Sequence, residues 1–337
     1  MIIDAFCHFF PTRYLEERNR RAGSGFGTQY AKYWRANRGL HDLDVRFRIL
    51  DKYPDVRQLL TVAGPNVESI TTGQDTVDLA RMANDGLAEL VAKYPDRFVG
   101  AAACLPMNDV DAALAEADRA IDDLGFRGVE VFTDINGRPL DSPELRPLFA
   151  KMEERGLPVL LHPRRTNTTA DYDGEATSKF LVYTNFGWPF ETSKAMARLA
   201  FGVLPSFPAL KVLTHHAGGM IPFFHKRVDL SWDFNRTLMG YAGDGVTPPQ
   251  APVDCYRQFY CDTAIQGNPS ALMCAWEFFG PDQMLFATDC PYDDELGERV
   301  YRETIPAVQA MAISEADRRK IFEGNARRLF RLPGRDA

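Results

Sequence analysis

Met1-Ile2-Ile3-Asp4-Ala5-Phe6-Cys7-His8-Phe9-Phe10-Pro11 opens the chain, and its pattern decides the fold. An apolar run that ends in a histidine reads as a buried strand delivering a side chain to a site at its C-terminal end. Residues two apart on a strand share a face. Phe6 and His8 therefore point together into the molecule, with Cys7 turned outward. The same punctuation returns further along. Apolar runs at 157–162, 211–215 and 284–288 lead to His162, to His215-His216 and to Asp289.

Outward from that strand, strand-like and helical patterns alternate almost throughout. Further strands are expected at 58–63, 98–105, 128–132 and 259–263, with helices at 46–52, 76–94, from 108 or 109 to 124, 142–155, 191–204 and 315–330. The helix at 76–94 carries the buried stripe Val77, Ala80, Ala83, Leu87 and Leu90 at helical spacing. Eight strands in this alternation, with no linker-like stretch and no internal repeat, predict a (β/α)8 TIM barrel, with residues 1–337 as a single domain. Insertions at 12–44, after strand one, and at 164–188, after strand five, are too long for ordinary connections and are expected over the active face. Their aromatics, Phe26, Tyr30, Tyr33, Trp34, Tyr172, Tyr183, Phe186 and Trp188, suggest an aromatic pocket. Residues 240–252, dense in Gly and Pro, read as a surface loop.

With 337 residues, 45% hydrophobic and 25% charged, the chain can bury a sizeable core. A net charge of -7 argues against nucleic acid or an anionic membrane as the main partner. No apolar run is long enough to cross a bilayer and no signal-peptide pattern opens the chain, so a cytoplasmic protein is expected. The six cysteines form no Cys-x-x-Cys pair and fit buried thiols in a reducing compartment. No phosphate-cradling loop is present: Gly23-Ser24-Gly25-Phe26-Gly27 lacks the helix and lysine that should follow. The Gly-x-Ser-x-Gly elbow of serine hydrolases is also missing.

A lone histidine at the end of an apolar strand is more often structural than functional. Three such sites and an aspartate on one rim of a barrel reverse that expectation, because the C-terminal strand ends share one face. His41 and His225 lie off these ends and read as surface or supporting residues.

Several segments carry a resemblance over nearly the whole length: Asp96-Arg97-Phe98-Val99-Gly100, Gly125-Phe126-Arg127-Gly128-Val129, His162-Pro163, His216-Ala217-Gly218-Gly219 with Pro222 and Arg227, Thr288-Asp289-Cys290-Pro291, and Asn325-Ala326. The chain resembles the amidohydrolase-related family, in the branch of aminocarboxymuconate-semialdehyde decarboxylase and the aromatic-acid decarboxylases. The resemblance implies that His8, His162 and Asp289 bind one divalent metal ion, with Zn²⁺ first and Mn²⁺ as the other choice. It makes His216 and Asp289 the catalytic residues, His216 acting on water or substrate. Arg46 and Arg227 become the substrate-carboxylate clamps. The second clamp reaches across from a neighbouring subunit in relatives, so a homodimer is implied. His215 has no matching role.

Position 6 departs from the family's pattern, which places His or Glu two residues before His8. A phenyl ring has no lone pair to give. His8, His162 and Asp289 still make the three protein ligands common in catalytic zinc sites. Phe6 then either flanks a planar substrate in the pocket or simply fills the space of a lost ligand. The chemistry implied is non-oxidative decarboxylation of an aromatic or unsaturated carboxylic acid. The alternatives are metal-dependent hydrolysis or hydration of a lactone, amide or ene-diacid, and a lapsed barrel that binds an acid without turnover.

Overall fold

The computed structural model describes residues 1–22, 32–240 and 251–333. Parallel strands form its inner wall: β1 (Ile2–His8), β2 (Val56–Thr61), β3 (Phe98–Ala101), β4 (Ala103–Cys104), β5 (Val129–Phe132), β6 (Val159–His162), β7 (Val212–Thr214), β8 (Tyr260–Asp262) and β9 (Met284–Leu285). They pair in chain order, β1-β2-β3 in one run and β4 through β9 in the other. The strand expected at 98–105 is thus split at Ala102. Its N–H donates to Leu60 O, whereas the next N–H, of Ala103, donates to Gly128 O. One extended segment so hands its pairing from one neighbour to the next, and the eight-stranded wall stays continuous.

Closure comes at the other seam. Past β9 the chain remains extended against β1, with Ala5 N–H donating to Phe286 O (2.9 Å) and His8 N–H to Cys290 O (2.8 Å). The result is the (β/α)8 barrel expected from the alternation. Leu59, Ala102, Leu160, Leu213, Leu285 and Phe6 fill the interior, and Leu329 and Phe330 of the terminal helical segment close its lower end. The remaining apolar residues form the layer between wall and helices.

Helix boundaries follow their caps. The helix expected at 46–52 runs instead over Leu43–Leu50, because the Asp42 carboxylate accepts from Asp44 N and Val45 N and starts it earlier. Asp109 caps Val110–Asp122 and Asn268 caps Pro269–Phe279 in the same way. The terminal helix is interrupted by a π-turn at Lys320–Gly324. The insertion after β1 contains a helix, Thr12–Arg21. Phe26, Tyr30 and the 23–27 glycine run lie outside the described residues, as does most of the 240–252 loop.

A buried polar chain holds the closing seam. Asp4 on β1 accepts from Thr288 N (3.0 Å), Thr288 Oγ1 (2.5 Å) and Tyr301 OH (2.7 Å). Gln58 Nε2 donates to the same tyrosine oxygen (2.6 Å), and Arg46 Nη1 donates to Gln58 Oε1 (3.0 Å). Arg46 also donates through Nη2 to His8 O (2.6 Å) and Gly39 O. Asp4→Ala would strand these donors in an interior without water. It is expected to cost about 3 kcal/mol or more, read as a lower urea midpoint, with Asp4→Asn losing less.

Candidate metal centre and pocket

Four side chains from four strand ends converge at the upper end of the interior. His8, His162, His215 and Asp289 are all buried, and one potential ligand atom from each lies within 4.8 Å of the others. His8 Nε2 and His215 Nε2 stand 3.1 and 3.2 Å from Asp289 Oδ1. Yet these three atoms are buried without a properly formed hydrogen bond. Buried polar atoms rarely stay unpaired. Three of them aimed at one point fit a cation between them.

Each imidazole is oriented from behind. His8 Nδ1 meets Thr61 Oγ1 at 2.8 Å, and His162 Nδ1–H donates to Pro163 O at 2.8 Å. His215 Nδ1 is bound to the Asp262 carboxylate, whose other oxygen accepts from Ala217 N and Ala264 N. In each ring the Nδ1 atom is occupied, which leaves Nε2 as the donor to a metal. This carboxylate- or carbonyl-backed arrangement is how metal-binding histidines are usually fixed.

The local electrostatics agree. Burial lowers the pKa of His8 and lowers that of His162 further, favouring neutral imidazoles. Burial also opposes protonation of His215, but the Asp262 and Asp289 carboxylates outweigh it and push its pKa up to about 10. For Asp289 burial raises the pKa, and the neighbouring His215 and His8 overturn that and hold the carboxyl well below its usual range. Negative charge is thus already present at the centre, ready to be balanced by a cation. Two imidazoles, a third backed by carboxylate, and one carboxylate suit Zn²⁺ or Mn²⁺ by ligand type.

His215 is the residue that sequence reasoning set aside. β7 ends at Thr214, but His215 keeps extended angles (φ -85°, ψ 159°) and so continues the strand's alternation. Leu213 faces the interior, hence so does His215 two residues on. The signal was there: Leu160 and His162 show the same spacing on the neighbouring strand. The chain then turns sharply, with His216 and Ala217 both at φ 55°. Gly218 and Gly219 follow at positive φ, where a Cβ would lie 2.7 Å from the Phe279 ring and 2.6 Å from Pro189 O respectively. His216 therefore lies beside the cluster. Its ring stacks on His215 (3.9 Å) and runs parallel to Trp188 (6.3 Å, 3°). Its Nδ1–H donates to Ala264 O, leaving Nε2 without a proton. Burial, followed by the neighbouring His215, lowers its pKa.

Above the cluster opens a pocket of about 400 Å³, reached by His162 and Asp289 and walled by Trp34, Phe132, Tyr183, Trp188 and Tyr292 among others. Both insertions contribute, as expected. Tyr172 and Phe186 do not, being exposed on the surface.

Two of the expected substrate contacts are corrected. Phe6 is fully buried under the cluster, stacked on His215 (4.2 Å, 23°) and 5.6 and 5.9 Å from the His8 and His162 rings. It is the floor of the metal centre and does not line the pocket. Arg46 is buried with its guanidinium spent on Gly39 O, His8 O and Gln58, so it braces β1 from outside the barrel wall and cannot clamp a substrate. Arg227 is exposed on the helix Ile221–Leu238, in a groove away from this chain's pocket. His225 Nδ1–H donates to Pro222 O on its own helix, and His41 Nε2–H donates to the Trp34 carbonyl.

Comparison with known proteins agrees with this geometry. The amidohydrolase family model (Amidohydro_2) matches residues 3–332. The gamma-resorcylate decarboxylase of Rhizobium radiobacter is 32% identical over 320 residues, covering 90% of this chain and 92% of that protein. The 2-amino-3-carboxymuconate-6-semialdehyde decarboxylase of Dictyostelium discoideum is 30% identical, covering 85% of this chain and 75% of that protein. Among solved structures, a dihydroxybenzoic acid decarboxylase from Polaromonas sp. JS666, with bound manganese and the inhibitor 2-nitroresorcinol, superposes with a TM-score of 0.80 at 29% identity, over 99% of this chain and 98% of that one. A barrel over nearly the full length, a histidine–aspartate cluster at its upper end and these relatives lead to one statement: the chain belongs to the amidohydrolase family, in its decarboxylase branch.

Proposed function

We propose that the protein is a metal-dependent, non-oxidative decarboxylase of an aromatic carboxylic acid, with a hydroxyl ortho to the carboxylate as the preferred pattern. The observation that carries this reading is the set of unpaired, converging atoms on His8, His215 and Asp289 at the base of an aromatic-walled pocket. The decarboxylase relatives favour it over hydrolysis or hydration. A divalent ion held by His8, His162, His215 and Asp289 would supply Lewis-acid polarisation of the acid's oxygens.

The chain's own residues do the rest. Phe132, Trp188 and Tyr292 offer aromatic walls against which a planar ring can lie. A proton must arrive at the ring carbon bearing the carboxylate; the carbon–carbon bond then breaks, its electron pair restores the ring and CO₂ leaves. No redox cofactor is needed. His216, with Nδ1 tied to Ala264 O and Nε2 open, and Asp289, which reaches both cluster and pocket, are the groups placed to carry that proton.

The active form is proposed to be a homodimer. The helix Ile221–Leu238 exposes Phe223, Leu230, Phe234 and Leu238 beside the groove that holds Arg227. A patch of this kind on a soluble protein marks an association surface. Pairing there would carry Arg227 toward the other copy.

Three outcomes are expected. The purified protein should contain about one divalent ion per chain by elemental analysis, Zn²⁺ or Mn²⁺, and release CO₂ from 2,6-dihydroxybenzoate or a related hydroxybenzoate. Ring opening or ester cleavage without CO₂ would reject the reaction. His215→Ala should lose most of its metal, whereas His216→Ala should keep the metal and lose roughly 10²–10⁴-fold in kcat; metal contents in the opposite order would reverse the assignments. Phe234→Glu should give a monomer by light scattering with little activity left, and an active monomer would remove the dimer from the mechanism.

A further inference from the structure

Arg18 is the least explained charge in the molecule. It sits on the helix Thr12–Arg21 at 1% exposure, and among the described residues Nε, Nη1 and Nη2 all lack a hydrogen-bond partner, from a carboxylate or any other group. Its guanidinium carbon lies 3.6 Å over the Trp34 ring, 4.6 Å over Phe10 and 5.9 Å over Tyr14. The Tyr14 hydroxyl, in the same nest of rings, is also buried and unpaired. Cation–π contact of this kind offsets only part of the cost of burying a charge. An arginine cannot escape by losing its proton.

The other arginines near the pocket are committed. Arg164 is paired with Asp134 and Arg165 with Glu191, and Arg46 is engaged with backbone oxygens and Gln58. Trp34 and Tyr292 are pocket walls, and Arg18 presses on the first from behind.

We infer that Arg18 is the specificity-determining charge that selects anionic over neutral ring compounds for this pocket. The inference rests on reading the pocket as the site of an aromatic acid. In a dry interior a unit charge acts over several ångströms with little screening. The guanidinium therefore sets a positive potential on the Trp34 side of the pocket, and the arriving carboxylate is the counter-charge that none of the described residues supplies. Such a residue stabilises the complex at the expense of the free protein.

The test compares the parent with Arg18→Met and Arg18→Lys by calorimetric titration with 2,6-dihydroxybenzoate and with resorcinol, the same ring without its carboxylate. Arg18→Met should bind the acid about 10-fold or more weakly, bind resorcinol within about 2-fold of the parent, and melt at the same temperature or higher without ligand, because an uncompensated buried charge has gone. Arg18→Lys should retain part of the acid affinity. Equal acid affinity in parent and Arg18→Met, including none in either, overturns the proposal, as does a large drop in melting temperature with both ligands weakened alike. Acid binding that depends on Arg18 without any CO₂ release would reject the reaction and leave the role of Arg18 standing.

Discussion

Everything at the centre depends on how the barrel closes. The first strand must meet the last extended segment in a register that leaves His8 and Asp289 side by side, and two main-chain hydrogen bonds alone could slip. Asp4 prevents this. By accepting from both the backbone and the hydroxyl of Thr288, it fixes the residue immediately before Asp289. Tyr301 and Gln58 extend the grip to Arg46, whose guanidinium returns to the carbonyl of His8. One buried chain of polar atoms thus places two of the four converging residues, from the side of the wall opposite the chemistry. A fully satisfied buried network of this kind favours one register over its neighbours.

The cluster follows the same logic at shorter range. Asp289 holds a left-handed backbone (φ 63°), a conformation unfavourable for a residue with a Cβ. It persists because the seam on one side and His8 and His215 on the other leave it no alternative. His215 in turn lies flat on Phe6, with Asp262 behind it. Phe6 is therefore best understood with His215: the ring that cannot bind a metal supports one that can.

The barrel and three of the four converging residues were legible in the sequence, because each marks the end of an apolar run and such ends share one rim. His215 follows from alternation with Leu213, but the family likeness falls on its neighbour, and the turn that takes His216 out of strand phase is not visible from composition. The arginines were harder. A long side chain on a helix can reach either the pocket or the outside of the wall, and nothing local in the sequence separates the two. Arg46 went to the wall, where the carbonyls of Gly39 and His8 accept from it. Arg18 carried no strand-end signal at all, and only its three-dimensional surroundings single it out.

The plug of Leu59, Ala102, Leu160, Leu213, Leu285 and Phe6 beneath the cluster has a consequence for traffic. Among the described residues this packed apolar column offers no path downward, which confines traffic to the upper end of the barrel. An acid that enters and a neutral ring and CO₂ that leave then share that end, and the order of departure becomes part of the kinetics. A ring that lingers while gas is abundant meets it again in the geometry that released it. The direction of the net reaction stays with the concentrations of acid, ring product and CO₂ outside, as for any catalyst; the closed floor bears only on the order in which the two products depart.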